Sequence, residues 1–129
     1  VGKAILALLP SDELGEYVAG NVLETFTPTT HTTAISLKDE LIRTQQRGYA
    51  IDNQEHEIGT FCIGAPIFDA PGKVIRARSI SGGDYEIIHG RELELAQAVM
   101  NTAQEISRRM GYVPSRMASV NRKVRALPK

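Results

Sequence analysis

The stretch from Gly48 to Gly82, GYAIDNQEHEIGTFCIGAPIFDAPGKVIRARSISG, constrains the fold more than any other part of the chain. Two extended, β-favouring runs, Gly59 to Phe68 and Lys73 to Ser81, flank Asp69-Ala70-Pro71-Gly72-Lys73, whose composition turns a chain back on itself. With Pro71 and Gly72 at the centre of the turn, Cys62 faces Ser81 and Gly64 faces Ser79. Directly opposed residues of an antiparallel pair share a face, and side chains alternate along each strand. Cys62, Ser79 and Ser81 therefore point the same way, and Gly64 leaves space among them. A slip of two residues keeps all three on one face. Asp52 sits in the short extended run just before. The group is a polar patch with hydrogen-bonding capacity and no strong nucleophile-activating pair. It points to a pocket for a small polar molecule rather than to a catalytic centre.

The chain has 129 residues, enough for one domain with a real core. Hydrophobic residues make up 42% and charged residues 23%, a globular balance. No apolar run approaches the roughly 20 residues of a membrane-spanning helix. The opening VGKAILALLP lacks the layout of a processed signal and reads as a helix entered midway, so a fragment of a longer protein is expected. One cysteine excludes an internal disulfide and fits a reducing, cytoplasmic compartment.

The formal net charge is zero, but the charge is unevenly placed. All 15 acidic residues precede position 107, whereas Arg108, Arg109, Arg116, Arg122, Lys123, Arg125 and Lys129 crowd the end. The expected division is a domain over residues 1–112 and a basic tail over 113–129, either disordered and solvated or docking on an acidic surface. The body is acidic and shows no basic stripe, so it is a poor nucleic-acid binder.

Turn and capping residues order the rest. Gly2 to Leu9 reads as a helix ended by Pro10, and Ser11 as the cap of a second helix over Asp12 to Val18 that Gly20 ends. Asn21 to Ala34, with six threonines and Pro28, reads as loop. Ser36-Leu37-Lys38-Asp39 resembles a capping box, with Leu37, Leu41 and Thr44 lining one helical face until Gly48. A short strand is expected over Tyr49 to Asp52, and a polar loop over Asn53 to Glu57. Glu92 to Met110 is the strongest helix signal, with Leu95, Val99, Thr102, Ala103, Ile106 and Met110 as its apolar stripe and Gly111 as its cap. His31 and His89 fall on a loop and a helix start. Three helices, three strands and a long helix argue an α+β layer fold with an antiparallel sheet.

Several roles stay open for the patch. Cys62 is either a small buried hydrophobe or a pocket group. Ser79 and Ser81 either bond neighbouring backbone or meet a ligand. Asp52 either braces the following loop or faces the pocket. His56 beside Cys62 and Asp52 raises a thiol-dependent hydrolase, but nothing suggests an oxyanion hole. No CxxC or HxxxH spacing supports a metal, and nothing calls for a cofactor. A ligand-free interaction module is the third reading. Arg76 and Arg78 fall on the strand face opposite Ser79.

The ordered set GKAILALLP, LKDELIRTQQRGYAIDNQEHEIGTFCIGAPIFDAPGKVIRARSISG and ELAQAVMNTAQEISRRMGY resembles the effector-binding domain of the IclR family of bacterial transcriptional regulators, from Val1 to about Tyr112. The resemblance implies a GAF-like or profilin-like domain, with helices packed on an antiparallel sheet whose first strands lie outside this chain. It implies a small carboxylate or aromatic acid as effector, and dimers or tetramers. DNA would be read through a separate amino-terminal winged helix-turn-helix. Carried over by position, the family's pocket falls on the backbone at Val1-Gly2 and on Asp52, Cys62, Ser79 and Ser81. Unpaired N–H groups at a helix start favour an anion, and serine hydroxyls donate to its oxygens. An ionised Asp52 would accept a ligand hydroxyl. The family more often has a small residue at Val1 and alanine at Gly64.

Overall fold

The computed structural model describes residues 1–114; the greater part of the expected basic tail lies outside them. The element order is α1 (Gly2–Leu6), α2 (Ser11–Gly20), α3 (Ala34–Arg47), β1 (Ala50–Asn53), β2 (Phe61–Phe68), β3 (Val74–Gly82), α4 (Glu86–His89) and α5 (Glu92–Arg109). The strands form one antiparallel sheet in the order β1-β2-β3. The fold is α+β, as expected.

Cys62 pairs with Ser81 and Gly64 with Ser79, the expected register. The turn reaches it by a different route. The Gly72 amide bonds the Asp69 carbonyl at 3.0 Å, so Ala70 and Pro71 occupy the centre. Gly72 follows with φ +90°, a conformation that glycine adopts without a Cβ penalty. The Asp69 carboxylate accepts the Lys73 amide at 2.8 Å. This turn alone would displace the pairing, and Phe68 does face Val74. Ile67 faces Arg76, so Ile75 is an extra residue in β3 and restores the register beyond it.

Odd-numbered residues of β2 form the core with α4 and α5. Ile63 is completely buried, among Phe61, Ile87, Ile88 and Ala96. Ala65 and Ile67 pack on Val99 and Ala103. The buried stripe of α5 is Ala96, Val99, Ala103 and Ser107, rotated from the expected one, so that Thr102 and Met110 are exposed. Small residues at the contact let the helix approach the sheet. Ser107 Oγ then accepts the Phe68 amide at 3.0 Å and donates to the Ala103 carbonyl at 2.8 Å. Burial of this hydroxyl is offset by both bonds.

Helix ends differ from expectation where local bonds outrank propensity. α1 stops at Leu6 because Leu8 and Leu9 bond the carbonyls three residues back, tightening the last turn before Pro10. Pro10, not Ser11, is the N-cap of α2, and the Asn21 side chain bonds the Tyr17 carbonyl at its far end. α3 starts at Ala34 because Thr33 Oγ1 accepts the Ser36 amide at 3.1 Å, three residues before the expected capping box. Gly48 ends α3 with φ +87°, as expected. α4 was not foreseen; His89 ends this one-turn helix instead of starting one, its ring stacked on Tyr85 at 3.7 Å.

Candidate functional site

Pairing on both sides of β2 builds two rows across the sheet. Asp52, Cys62 and Ser81 form one, and Ala50, Gly64 and Ser79 the next. All six share the face opposite the α5 core. α1 covers part of that face, its start poised over Gly64. A Cβ placed on Gly64 would lie 3.5 Å from the Val1 nitrogen and 3.7 Å from Ser79 Cβ. Beneath the start of α1 is a cavity of about 220 Å³, bounded by Val1, Gly2 and Lys3 above and by Asp52, Cys62 and Gly64 below. Glu55 and His56 border it from the loop after β1.

The structure thus brings together Val1, Gly2, Asp52 and Cys62. Ser79 is half-buried beside Gly64 and does not line the cavity; Ser81 is exposed farther along the same face. Arg76 and Arg78 alternate to the other face, as expected. A second cavity of about 250 Å³ lies among α1, α3, β2 and α5, lined largely by apolar groups such as Ala7, Leu8, Phe68 and Met100. It holds no titratable side chain, so the polar cavity is the better candidate for a polar ligand.

Asp52 braces its loop with one oxygen, Oδ1 accepting the Glu55 amide at 2.8 Å. Its other oxygen makes no hydrogen bond among the described residues and remains available to a donor. Three threonines of the loop before α3 hold the same turn. The Thr27 and Thr29 hydroxyls donate to the Gln54 carbonyl, Thr29 also donates to that of Asn53 at 2.8 Å, and Thr30 donates to that of Glu55. Gln54 is at φ +57°, a left-handed conformation unusual for a residue with a side chain. The threonine-rich segment, expected only as loop, is the clamp that holds it there.

Lys3 and Glu55 were missed from sequence as parts of the site. Lys3 Nζ lies 2.7 Å from Glu55 Oε1 and 2.8 Å from Oε2, and also donates to the Ile51 carbonyl. Glu55 further accepts the Asn53 amide at 2.9 Å and meets His31 Nε2 at 3.1 Å. Behind it, burial pushes the Glu40 carboxyl up, but the Arg47 hydrogen bond and the charges of Lys3, Arg47 and His31 outweigh it and hold the carboxyl below its ordinary range. The helix roof is therefore tied to the loop floor by charge. Cys62 and His56 border the same cavity, yet no hydrogen bond joins them among the described residues, and none of those residues form a group of three or more metal-ligating side chains.

The family model described as the C-terminal domain of the bacterial transcriptional regulator IclR matches residues 1–108. The chain belongs to the IclR family. It is 37% identical over 113 residues to the HTH-type transcriptional repressor AllR of Salmonella typhi, covering 88% of this chain and 42% of that one. It thus spans less than half the length of that relative. The crystal structure of Thermotoga maritima IclR superposes with a TM-score of 0.82 at 43% identity, over 86% of this chain and 45% of that one. A third likeness is to a double mutant of the inducer-binding domain of the PobR transcription factor from Acinetobacter, in complex with 3-hydroxybenzoic acid. Its TM-score is 0.70 and its identity 26%, over 82% of this chain and 61% of that one. The chain therefore has the C-terminal domain fold of IclR-family regulators. Among the described residues no helix is long and apolar enough to cross a membrane.

Proposed function

We propose that this chain is the effector-binding and oligomerising part of an IclR-type transcription factor, and that its effector is a small carboxylate or aromatic acid. The observation that carries the reading is the meeting of the start of α1, Asp52 and Cys62 around one polar cavity of about 220 Å³. The Val1-Gly2 backbone would face the acid's oxygens, Asp52 would accept from a ligand hydroxyl, and Cys62 would pack against its body. Ser79 and Ser81, on the same sheet face, would complete the contacts as a ligand extends past Gly64. The PobR complex with a hydroxybenzoic acid supports this ligand class.

In the intact protein, binding would act by differential affinity for two arrangements of a dimer or tetramer. That would change the spacing of attached helix-turn-helix modules on DNA. No membrane is involved, and the setting is the bacterial cytoplasm.

A thermal-shift screen of small carboxylates and aromatic acids tests the reading. A ligand at about 100 times its Kd adds about 2.7 kcal/mol, roughly 10 °C for a domain of this size. Calorimetry on a folded Ser79→Ala/Ser81→Ala double variant should then show weaker binding of the selected acid. Unchanged affinity in that variant would remove the two serines from the site.

A further inference from the structure

We infer that Gly64 selects the effector: the notch left by its missing side chain takes one hydroxyl, so the site prefers a hydroxylated acid to the same acid without that group. The inference rests on the effector-site reading above and narrows its ligand class.

Nothing in the backbone calls for a glycine at this position. Gly48 and Gly72 have φ +87° and +90°, whereas Gly64 is paired on both sides within β2 and has no positive φ. A glycine inside a strand gives up packing and costs chain entropy. Crowding does not demand it either. A Cβ built on Gly64 would lie 3.5 Å from the Val1 nitrogen, 3.5 Å from the Arg78 carbonyl oxygen and 3.7 Å from Ser79 Cβ, all ordinary van der Waals contacts. Alanine therefore fits the fold. What glycine supplies is space, and a strand glycine often marks a place where a ligand comes close to the backbone.

That space has a definite size and lining. It holds one methyl or hydroxyl group, because a single added carbon already meets all three neighbours at contact distance. It opens on the polar cavity, since Val1 and Gly64 both line that cavity. Two of the three nearest atoms are polar, a nitrogen and a carbonyl oxygen, and they suit a hydroxyl better than a methyl. The far side is Ser79, a half-buried residue whose hydroxyl makes no side-chain hydrogen bond among the described residues. Ser79 does not line the cavity, so a ligand held there reaches it through the notch. A ligand hydroxyl seated in the notch is within one side-chain rotation of a hydrogen bond to Ser79. Gly64 thus decides which group is admitted, and Ser79 reads it.

Calorimetry on the chain with matched acids tests this: 2-, 3- and 4-hydroxybenzoate against benzoate, and lactate against propionate. In at least one of these comparisons the hydroxylated acid should bind roughly tenfold more tightly, the worth of one hydrogen bond. Gly64→Ala should stay folded by circular dichroism and erase that preference, and Ser79→Ala should erase it as well. Arg76→Gln, on the other sheet face, should keep it. A hydroxyl that met Asp52 instead would keep its advantage in Gly64→Ala. A preference retained in Gly64→Ala or in Ser79→Ala, or binding of acids by the parent with no preference at all, overturns the role of Gly64 and leaves the effector site standing. Failure of the parent to bind any of these acids overturns the site and this inference together.

Discussion

Lys3 and Glu55, 52 residues apart in the chain, join the first helix to the loop after β1 through a two-pronged ion pair of 2.7 and 2.8 Å. Their side chains are only 15% and 14% exposed, so solvent screens the pair weakly. The contact fixes the height of α1 above Asp52 and Cys62, and so the cavity between them.

Replacing Lys3 with Met keeps the bulk of the side chain and leaves Glu55 with the Asn53 amide and His31 but without its ammonium partner. The expected loss is about 1–3 kcal/mol of folding stability, measured by urea denaturation, since the half-buried carboxylate loses its main counter-charge and keeps only the Asn53 amide and His31. Adding Glu55→Gln should recover part of that loss. Strictly additive effects would show that the pair has no energetic coupling.

Ser107 is the second place where one polar group joins two elements. Ser107→Ala removes the acceptor of the Phe68 amide at a site only 1% exposed. Destabilisation of about 1–3 kcal/mol is expected, with faster hydrogen exchange at Phe68. Unaltered exchange at that amide would show that another acceptor takes over.

Glu105 gives the clearest acid signature. Hydrogen bonds from Arg108 and then Arg109 lower its carboxyl to about 2, from an ordinary 4.5. The folded state releases this proton more readily than the unfolded one. The contribution to stability is therefore full above the ordinary carboxylate range and is lost as the pH falls from about 4.5 through about 2. The group is on the surface, so salt weakens the effect. An NMR titration should place its midpoint near 2 and move it upward in Arg108→Gln; a midpoint at the ordinary value would contradict the geometry.

The legible part of this fold was the part set by short-range rules. Alternation and the turn composition placed Cys62, Gly64, Ser79 and Ser81 on one face in the observed register. Even there, a displaced turn and the extra residue Ile75 compensated each other, which no alternation pattern reveals. Gly48 announced the end of α3 because only a left-handed residue fits there. The rest depended on distance. Nothing local in Lys3 or Glu55 signals a partner 52 residues away, and Ser107 reads as a polar break in a helix until Phe68 is seen to need an acceptor. Both Thr33 and Ser36 are good capping residues; Thr33 is the cap because its hydroxyl takes the Ser36 amide, while the Ser36 hydroxyl is engaged with His31 at 2.7 Å. The cavity followed the expected residues only in part: Val1, Gly2, Asp52 and Cys62 line it, whereas Ser79 and Ser81 share its face without lining it.

The central claim is that a small acid occupies the space between the start of α1 and Cys62. Cys62→Phe places a ring in that space while the core face of β2 is untouched. The deciding measurement is the thermal shift of this variant against a panel of small carboxylates and aromatic acids, beside the parent chain. At least one acid should raise the melting temperature of the parent by several degrees, and none should raise that of the folded variant. Equal shifts in both proteins would place the ligand elsewhere and contradict the account.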